Sequence, residues 1–174
     1  MYLLPFFRVL SCAAAFAPLL ASAQAPPSPQ APHLRFVYEE VVTLAANIPV
    51  GETPIGKRNI VPITGGTFDG PGLSGKVMPG GWDWQLTLAS GCFQLHADYF
   101  IKTDDGVIIH VVNGGMVCPN SAGKRDTLFT SPQFEAPKGK YDWLNGGVFV
   151  GTLEVTRIDG KPAVHVRFFK AVSD

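Results

Sequence analysis

Three side chains that could transfer protons or bind metals lie close together in this sequence of 174 residues: His96, Asp98 and His110. Two imidazoles with one carboxylate have the composition of a common transition-metal site. A carboxylate beside a single imidazole is instead typical of general acid/base catalysis, because the carboxylate orients the ring. Which chemistry is available depends on the elements that position these side chains.

The segment around these residues is predicted to form a β-hairpin. Asp104-Asp105-Gly106 fits a three-residue turn with glycine in the left-handed position, so that paired residue numbers add up to 210. In this register His96 lies opposite Gly114, which is about 13 Å along the strand from His110. One ion cannot reach both rings, and no metal site is predicted.

Asp98 and His110 are the predicted catalytic pair. They are diagonal neighbours across the hairpin, about 7–8 Å apart in the backbone, so their side chains can share a hydrogen bond. Both belong to the even-numbered, chemically mixed face, whereas the odd-numbered residues form an apolar face. The mixed face lines either the interior of a barrel or the solvent, and in the second case the pair needs no function.

Four further residues are candidate ligand contacts: Arg58, Trp84, His96 and Tyr99. Arg58 can pair with a ligand carboxylate, although a cation at the start of a strand is commonly a surface residue. Strand alternation places Trp82 and Trp84 on one side and Asp83 on the other. The two indole rings would serve either as core or as a platform for a ligand.

Cys92 and Cys118 are predicted to form a disulfide. They lie directly opposite each other in the hairpin register, and nearby thiols in an exported protein usually pair. A slip of one residue in the register would place them on opposite faces and leave two reduced thiols.

The rest of the chain predicts an all-β fold with little helix. The 19 glycines and 15 prolines interrupt the sequence, and no stretch after residue 23 has a convincing helical apolar period. Short β-rich runs recur instead, at 34–44, 59–63, 73–78, 82–89, 93–101, 107–113, 128–134, 141–150, 153–158 and 163–171. Asp159-Gly160 predicts a second hairpin that pairs Ile158 with Lys161. Such a series of strands indicates a barrel or a sandwich.

The first residues have the order of a cleavable signal peptide. Arg8 precedes an apolar run of about 12 residues, and Ala21-Ser22-Ala23 supplies the small residues of a cleavage site. A membrane-spanning helix needs roughly 20 residues, so residues 1–23 are predicted to be removed. Residues 24–33 then form a proline-rich tether, and residues 34–174 one domain in the periplasm or outside the cell.

The composition argues against several partners. Lys and Arg number 14, Asp and Glu number 14, and no basic stripe is present, which disfavours nucleic acids and membrane surfaces. No Walker loop, G-x-S-x-G or paired C-x-x-C motif occurs, so no cofactor is predicted. A small molecule or another protein is the expected partner.

Several ordered motifs resemble a known family. They are the segments 50–68, 79–85, 103–106 and 141–145. Together they resemble the domain-of-unknown-function family numbered 3237, from about Leu34 to the C-terminus. The resemblance implies a single antiparallel β-barrel, calycin-like or allene-oxide-cyclase-like, with no assigned activity. It also implies Asp, Arg and Tyr in the central hairpin, where this sequence has His96, Asp98 and His110, so that a relative's chemistry does not transfer.

Three functional hypotheses remain open from the sequence. The first is an exported barrel that binds a small apolar or aromatic molecule, because barrels enclose cavities and the chain has 12 Phe, 4 Tyr and 3 Trp. The second is a cofactor-independent isomerase, cyclase or lyase with Asp98 and His110 as its proton-transfer pair. The third is a structural or assembly module without a pocket.

The leader generates the first prediction. Protein recovered from the periplasm or the medium should begin at Gln24, because the signal peptidase cleaves after the small residues. Intact-mass measurement checks this, and retention of residues 1–23 would contradict it.

Overall fold

The structure is a computed structural model that describes residues 30–124 and 127–173. Within these ranges ten antiparallel strands form one sheet: β1 His33–Leu44, β2 Ile48–Thr53, β3 Gly56–Asp69, β4 Gly75–Val77, β5 Trp82–Thr87, β6 Phe93–Thr103, β7 Ile108–Val117, β8 Leu128–Glu135, β9 Phe149–Ile158 and β10 Lys161–Val172. The predicted signal peptide and residues 24–29 of the tether lie outside the described residues. None of the described segments forms a helix long and apolar enough to cross a membrane.

The sheet closes on itself into a barrel. Hydrogen-bonded neighbours run in the order β1-β10-β9-β8-β7-β6-β4-β3-β2, and β1 also pairs with β3, which completes the ring. β4 and β5 share the position between β3 and β6, each pairing with both. The all-β, single-barrel prediction is confirmed.

Both predicted hairpin registers are confirmed. Every β6–β7 pair, from Phe93 with Val117 to Lys102 with Ile108, adds up to 210. In the second hairpin Ile158 pairs with Lys161, as the Asp159-Gly160 turn predicted. Asp159 has a φ of +48° and Gly160 a φ of +77°, the left-handed backbone that such a two-residue turn requires.

Strand alternation fills one end of the barrel with aromatic side chains. The rings of Tyr38 and Phe168 lie 4.7 Å apart, and those of Phe134 and Phe149 lie 4.9 Å apart. Ile101 and other odd-numbered residues of the central hairpin pack into the same core. This end is closed by apolar packing, which the hydrophobic effect stabilises.

Two strand predictions were wrong. The run 141–150 was predicted as strand, but Asp142–Leu144 form a turn of 3-10 helix and β9 begins at Phe149. The Asn145 side chain bonds both backbone groups of Ala136, accepting from its N–H at 2.7 Å and donating to its carbonyl at 2.9 Å. Such local side-chain bonds compete with a strand ladder. Strand β2 was missed, because Pro49 and Gly51 obscure the alternation.

The disulfide between Cys92 and Cys118 is present. Cys92 directly precedes Phe93 and Cys118 directly follows Val117, and Phe93 with Val117 is the last ladder pair. The bond therefore links the two strands at the open end of the β6–β7 hairpin. The confirmed register explains the bond, since it brings the two thiols opposite each other.

Replacing both cysteines with serine should lower the free energy of unfolding by about 3 kcal/mol. The bond closes a loop of about 27 residues, and losing it restores that loop's freedom to the unfolded chain. Urea denaturation of Cys92→Ser/Cys118→Ser against the oxidised wild type measures the change. Two free thiols in denatured, unreduced wild-type protein would contradict the bond itself.

Candidate functional site

The barrel contains a cavity of about 400 Å³ at the end away from the aromatic core. Along β6 the odd-numbered residues from Phe93 to Tyr99 line the cavity, whereas Ile101 is part of the core. Val155, 87% exposed, also lines the cavity, which therefore reaches solvent at its rim. The volume lies within the range of natural small-molecule pockets.

The cavity wall is mostly apolar. Its aliphatic and aromatic lining comes from six strands that face one another across the barrel: Val42, Leu44, Ile63, Phe93, Leu95, Ala97, Leu128, Leu153, Val164 and Val166. A wall of this kind favours a ligand with an apolar body, because binding removes the apolar surfaces of both from water.

Glu40 places a carboxyl group on this apolar wall. It lies on β1 between Val166 of β10 and Phe68 of β3, and only 1% of it is exposed. The Tyr99 hydroxyl donates a hydrogen bond of 2.5 Å to Glu40 Oε1. Burial raises the pKa of Glu40 to about 8, although the bond from Tyr99 acts in the opposite direction. Glu40 is therefore largely a neutral acid at pH 7.

Two buried oxygen atoms at the cavity have no hydrogen-bond partner among the described residues. They are Glu40 Oε2 and Asn113 Oδ1. Asn113 is 3% exposed and pairs with Ala97 across β6 and β7, so it shares the inner face with Tyr99. Buried polar atoms without partners cost free energy, which a ligand group that satisfies them would recover.

Asp83 contributes a second interior carboxyl group. Its Oδ1 accepts from the backbone N–H of His96 at 3.2 Å and its Oδ2 from Gln85 Nε2 at 2.8 Å. Burial raises the pKa of Asp83, and these two bonds lower it in part. The sequence correctly placed Asp83 on the opposite side of the strand from Trp82 and Trp84. The Asp83 side faces the interior.

The predicted ligand contacts separate into two places. Tyr99 lines the interior cavity. Arg58, Trp84 and His96 lie together on the outer face, where they border a surface depression. Trp84 is 42% exposed there, so the interpretation of its ring as core is wrong. Arg58 and Trp84 are neighbours on this face because Trp84 pairs with Ile60, two residues from Arg58, across β3 and β5.

The Asp98–His110 pair forms but faces outward. Asp98 Oδ1 and His110 Nε2 are 2.7 Å apart, and Glu135 Oε2 lies 3.6 Å from the other ring nitrogen. The Asp98 side chain is 48% exposed, and neither residue lines the interior cavity. Of the two placements that the sequence left open, the pair has the solvent one, because odd-numbered residues of β6 and β7 fill the barrel and even-numbered ones face solvent.

Metal binding has no site in the described part of the chain. No group of three or more His, Cys, Asp or Glu side chains there is arranged to hold an ion. His96 lies opposite Gly114, as the register predicted, and far from the His110 ring along the strand.

Sequence reasoning missed Glu40, Asn113 and the role of Asp83. A signal for Glu40 was available: Tyr38, Glu40, Val42 and Leu44 alternate on one face of β1, so one carboxyl interrupts an apolar stripe. Asn113 is the corresponding polar interruption among the odd-numbered residues of β7. An acid on an inward-facing stripe is a stronger indicator of a site than an acid beside a histidine on a mixed face.

Comparison with known proteins gives the family. The model of the family described as "Protein of unknown function (DUF3237)" matches residues 32–171. The chain belongs to this family. A UPF0311 protein of Rhodopseudomonas palustris (strain TIE-1) is 34% identical over 130 residues, covering 68% of this chain and 85% of that protein.

Solved structures of similar proteins have the same fold. A conserved protein of unknown function from Rhodopseudomonas palustris superposes with a TM-score of 0.72 at 28% identity, over 83% of this chain and 100% of the other. A β-barrel-like protein from Acinetobacter baumannii AYE gives 0.71 at 31% identity, over 86% and 100%. The DUF3237 family has no assigned activity, so the site must be interpreted from its own geometry.

The buried Glu40 carboxyl should make stability fall as pH rises. Its pKa is about 8 in the folded chain against 4.5 as the ordinary value, so the folded state holds this proton more tightly. The contribution is full below pH 4.5 and is lost as pH rises to 8, by about 3–5 kcal/mol at most. Glu40→Gln should remove this slope, as measured by urea denaturation between pH 5 and 8.5.

The exposed Glu52 provides the control for this experiment. Glu52→Gln changes the same formal charge on the surface and should leave the wild-type slope in place. A slope that persists unchanged in Glu40→Gln would show that Glu40 is not the group that titrates.

Proposed function

We propose that this protein binds a small molecule with a largely apolar body inside its barrel, where Glu40 and Asn113 contact the ligand's polar group. The observation that carries the proposal is the cavity of about 400 Å³ with two unpartnered oxygen atoms in a mostly apolar wall. Apolar pockets with a few convergent polar groups are typical of ligand sites.

The cavity favours ligand binding over the other two hypotheses. A purely structural barrel has no need of a cavity of this size with unpartnered buried oxygens on its wall, each of which costs about 1–3 kcal/mol. The isomerase, cyclase or lyase hypothesis relied on Asp98 and His110, which lie outside the cavity. The interior instead offers Glu40 as its ionisable group.

Export of the protein is part of the proposal. The leader and the Cys92–Cys118 disulfide support a site in the periplasm or outside the cell, since such bonds persist in oxidising compartments. The ligand would then be a molecule met outside the cytoplasm.

Filling the cavity should abolish ligand binding. N-phenyl-1-naphthylamine, a neutral aromatic probe that fluoresces in apolar surroundings, should bind the wild type with one saturable site. Ala97→Leu adds volume at the inner face and should weaken binding at least tenfold, about 1.4 kcal/mol. Val164→Phe provides a second filled variant at another part of the wall. Titration of probe fluorescence measures both, with circular dichroism and the thermal midpoint as checks of folding.

His96→Leu is the matched control. His96 precedes Ala97 on β6 and points to the outer face, so the wild-type affinity should be kept. Loss of binding in His96→Leu but not in the two filled variants would place the ligand in the outer depression with Arg58 and Trp84. Absence of saturable binding in the wild type would contradict the proposal.

A further inference from the structure

The ionisable groups that line the cavity are all acids among the residues described. Those among the described residues are acidic or phenolic: Glu40, Asp83, Tyr99 and Glu154. No Lys, Arg or His of the described residues lines the cavity. An interior charge without a counter-ion is felt strongly, because the surroundings screen it poorly.

Asp83 is a buried carboxyl group whose pKa is raised by burial and lowered in part by its hydrogen bonds. Both of its oxygens accept hydrogen bonds, from the His96 backbone and from Gln85, and bonds of this kind stabilise the carboxylate. Glu154 adds a carboxylate at the rim, with its side chain 62% exposed and bonded to Arg167 at 2.8 Å. A cation in the cavity would therefore meet acidic groups and, among the described residues of the wall, no positive side chain.

The unpartnered oxygen atoms can accept hydrogen bonds from donors on a ligand. Glu40 Oε2 as a carboxylate oxygen and Asn113 Oδ1 are both acceptors, and both belong to side chains at least 97% buried. An ammonium group offers three N–H donors and no acceptor. An ammonium group beside Glu40 can therefore donate to its free oxygen, and the ammonium charge offsets that of the ionised carboxylate.

We infer that the natural ligand of this cavity is an organic amine with an apolar body, bound as its ammonium ion through Glu40. This inference rests on the proposed function and specifies its ligand class. The apolar wall accommodates the body, and Glu40 Oε2 with Asn113 Oδ1 accepts hydrogen bonds from the head. A buried ion pair is favourable only when its remaining hydrogen-bonding sites are satisfied, and Tyr99 satisfies the other Glu40 oxygen.

Binding should be coupled to proton release from Glu40. The pKa of this carboxyl group is about 8 in the free protein, and a neighbouring ammonium ion lowers it. At pH 7 binding of the ammonium form should therefore release up to one proton. The groups that face Glu40 are Tyr38 on its own strand and Tyr99 on β6, with Asp83 and Glu154 across the cavity. Both phenols have a pKa raised by burial and by Glu40, so neither supplies this proton.

A set of isosteric probes tests the inference. 1-Naphthylmethylamine, 1-naphthylmethanol and 1-naphthoate share an aromatic body and differ in a cationic, neutral or anionic head. Isothermal titration calorimetry at pH 7 should show the amine binding at least tenfold more tightly than the alcohol, with the carboxylate weakest. In Glu40→Gln, which can still accept the bond from Tyr99, the amine should lose at least tenfold and the alcohol less than about threefold.

Two controls separate direct contact from general charge. Glu154→Gln alters the rim and should reduce amine affinity by less than about threefold, because an exposed charge is screened by solvent. The wild type titrated in phosphate and in Tris should give an enthalpy difference for the amine, corresponding to proton release, and none for the alcohol. This second measurement needs no variant to fold.

The outcomes distinguish this inference from the proposed function. If the alcohol binds the wild type as tightly as the amine, the cavity is a ligand site but the amine inference is wrong. If Asp83→Asn removes the amine preference and Glu40→Gln does not, Glu40 is not the anchor and the inference is overturned. If neither these probes nor the neutral N-phenyl-1-naphthylamine binds the wild type, the proposed function fails as well.

Discussion

The register of the central hairpin is the constraint on which the rest of the structure depends. Side chains alternate between the two faces of a strand, so one register assigns every residue of β6 and β7 either to the barrel interior or to solvent. It directs Tyr99 and Asn113 inward, Asp98 and His110 outward, and brings Cys92 opposite Cys118. A shift of one residue would exchange these faces and break the disulfide. The turn at 104–106 therefore determines both which side chains line the cavity and whether Cys92 can bond Cys118.

The two ends of the barrel interior differ in their packing. Aromatic rings fill one end, where Tyr38 and Phe168 are fully buried, and leave the other end open as a cavity. Glu40 lies where these two parts meet, adjacent in the sheet to the buried Phe68 and Val166. Burial of a carboxyl group beside a packed core costs stability as the pH rises. Residues that lower stability at a cavity in this way are typical of functional sites.

The two faces of the same strands present different chemistry. Outside, Asp98, His110 and Glu135 form an exposed charged cluster with the Phe100 ring stacked on the imidazole at 4.8 Å. Water screens such a cluster, which therefore contributes little. Inside, Glu40 lies in an apolar wall, and burial raises its pKa to about 8. The interior acids are thus screened less by water than the outer cluster.

Local patterns in the chain were enough to predict the hairpin strands, their registers, the disulfide and the barrel class, because turn residues and alternation are local properties. They also indicated that Asp98 and His110 would share a hydrogen bond. Which face of the hairpin is the interior depends on tertiary contacts, since β1 must close the ring against β3. The tertiary structure likewise brought Glu40 to Tyr99, 59 residues away along the chain, and local patterns carry no information about such a contact.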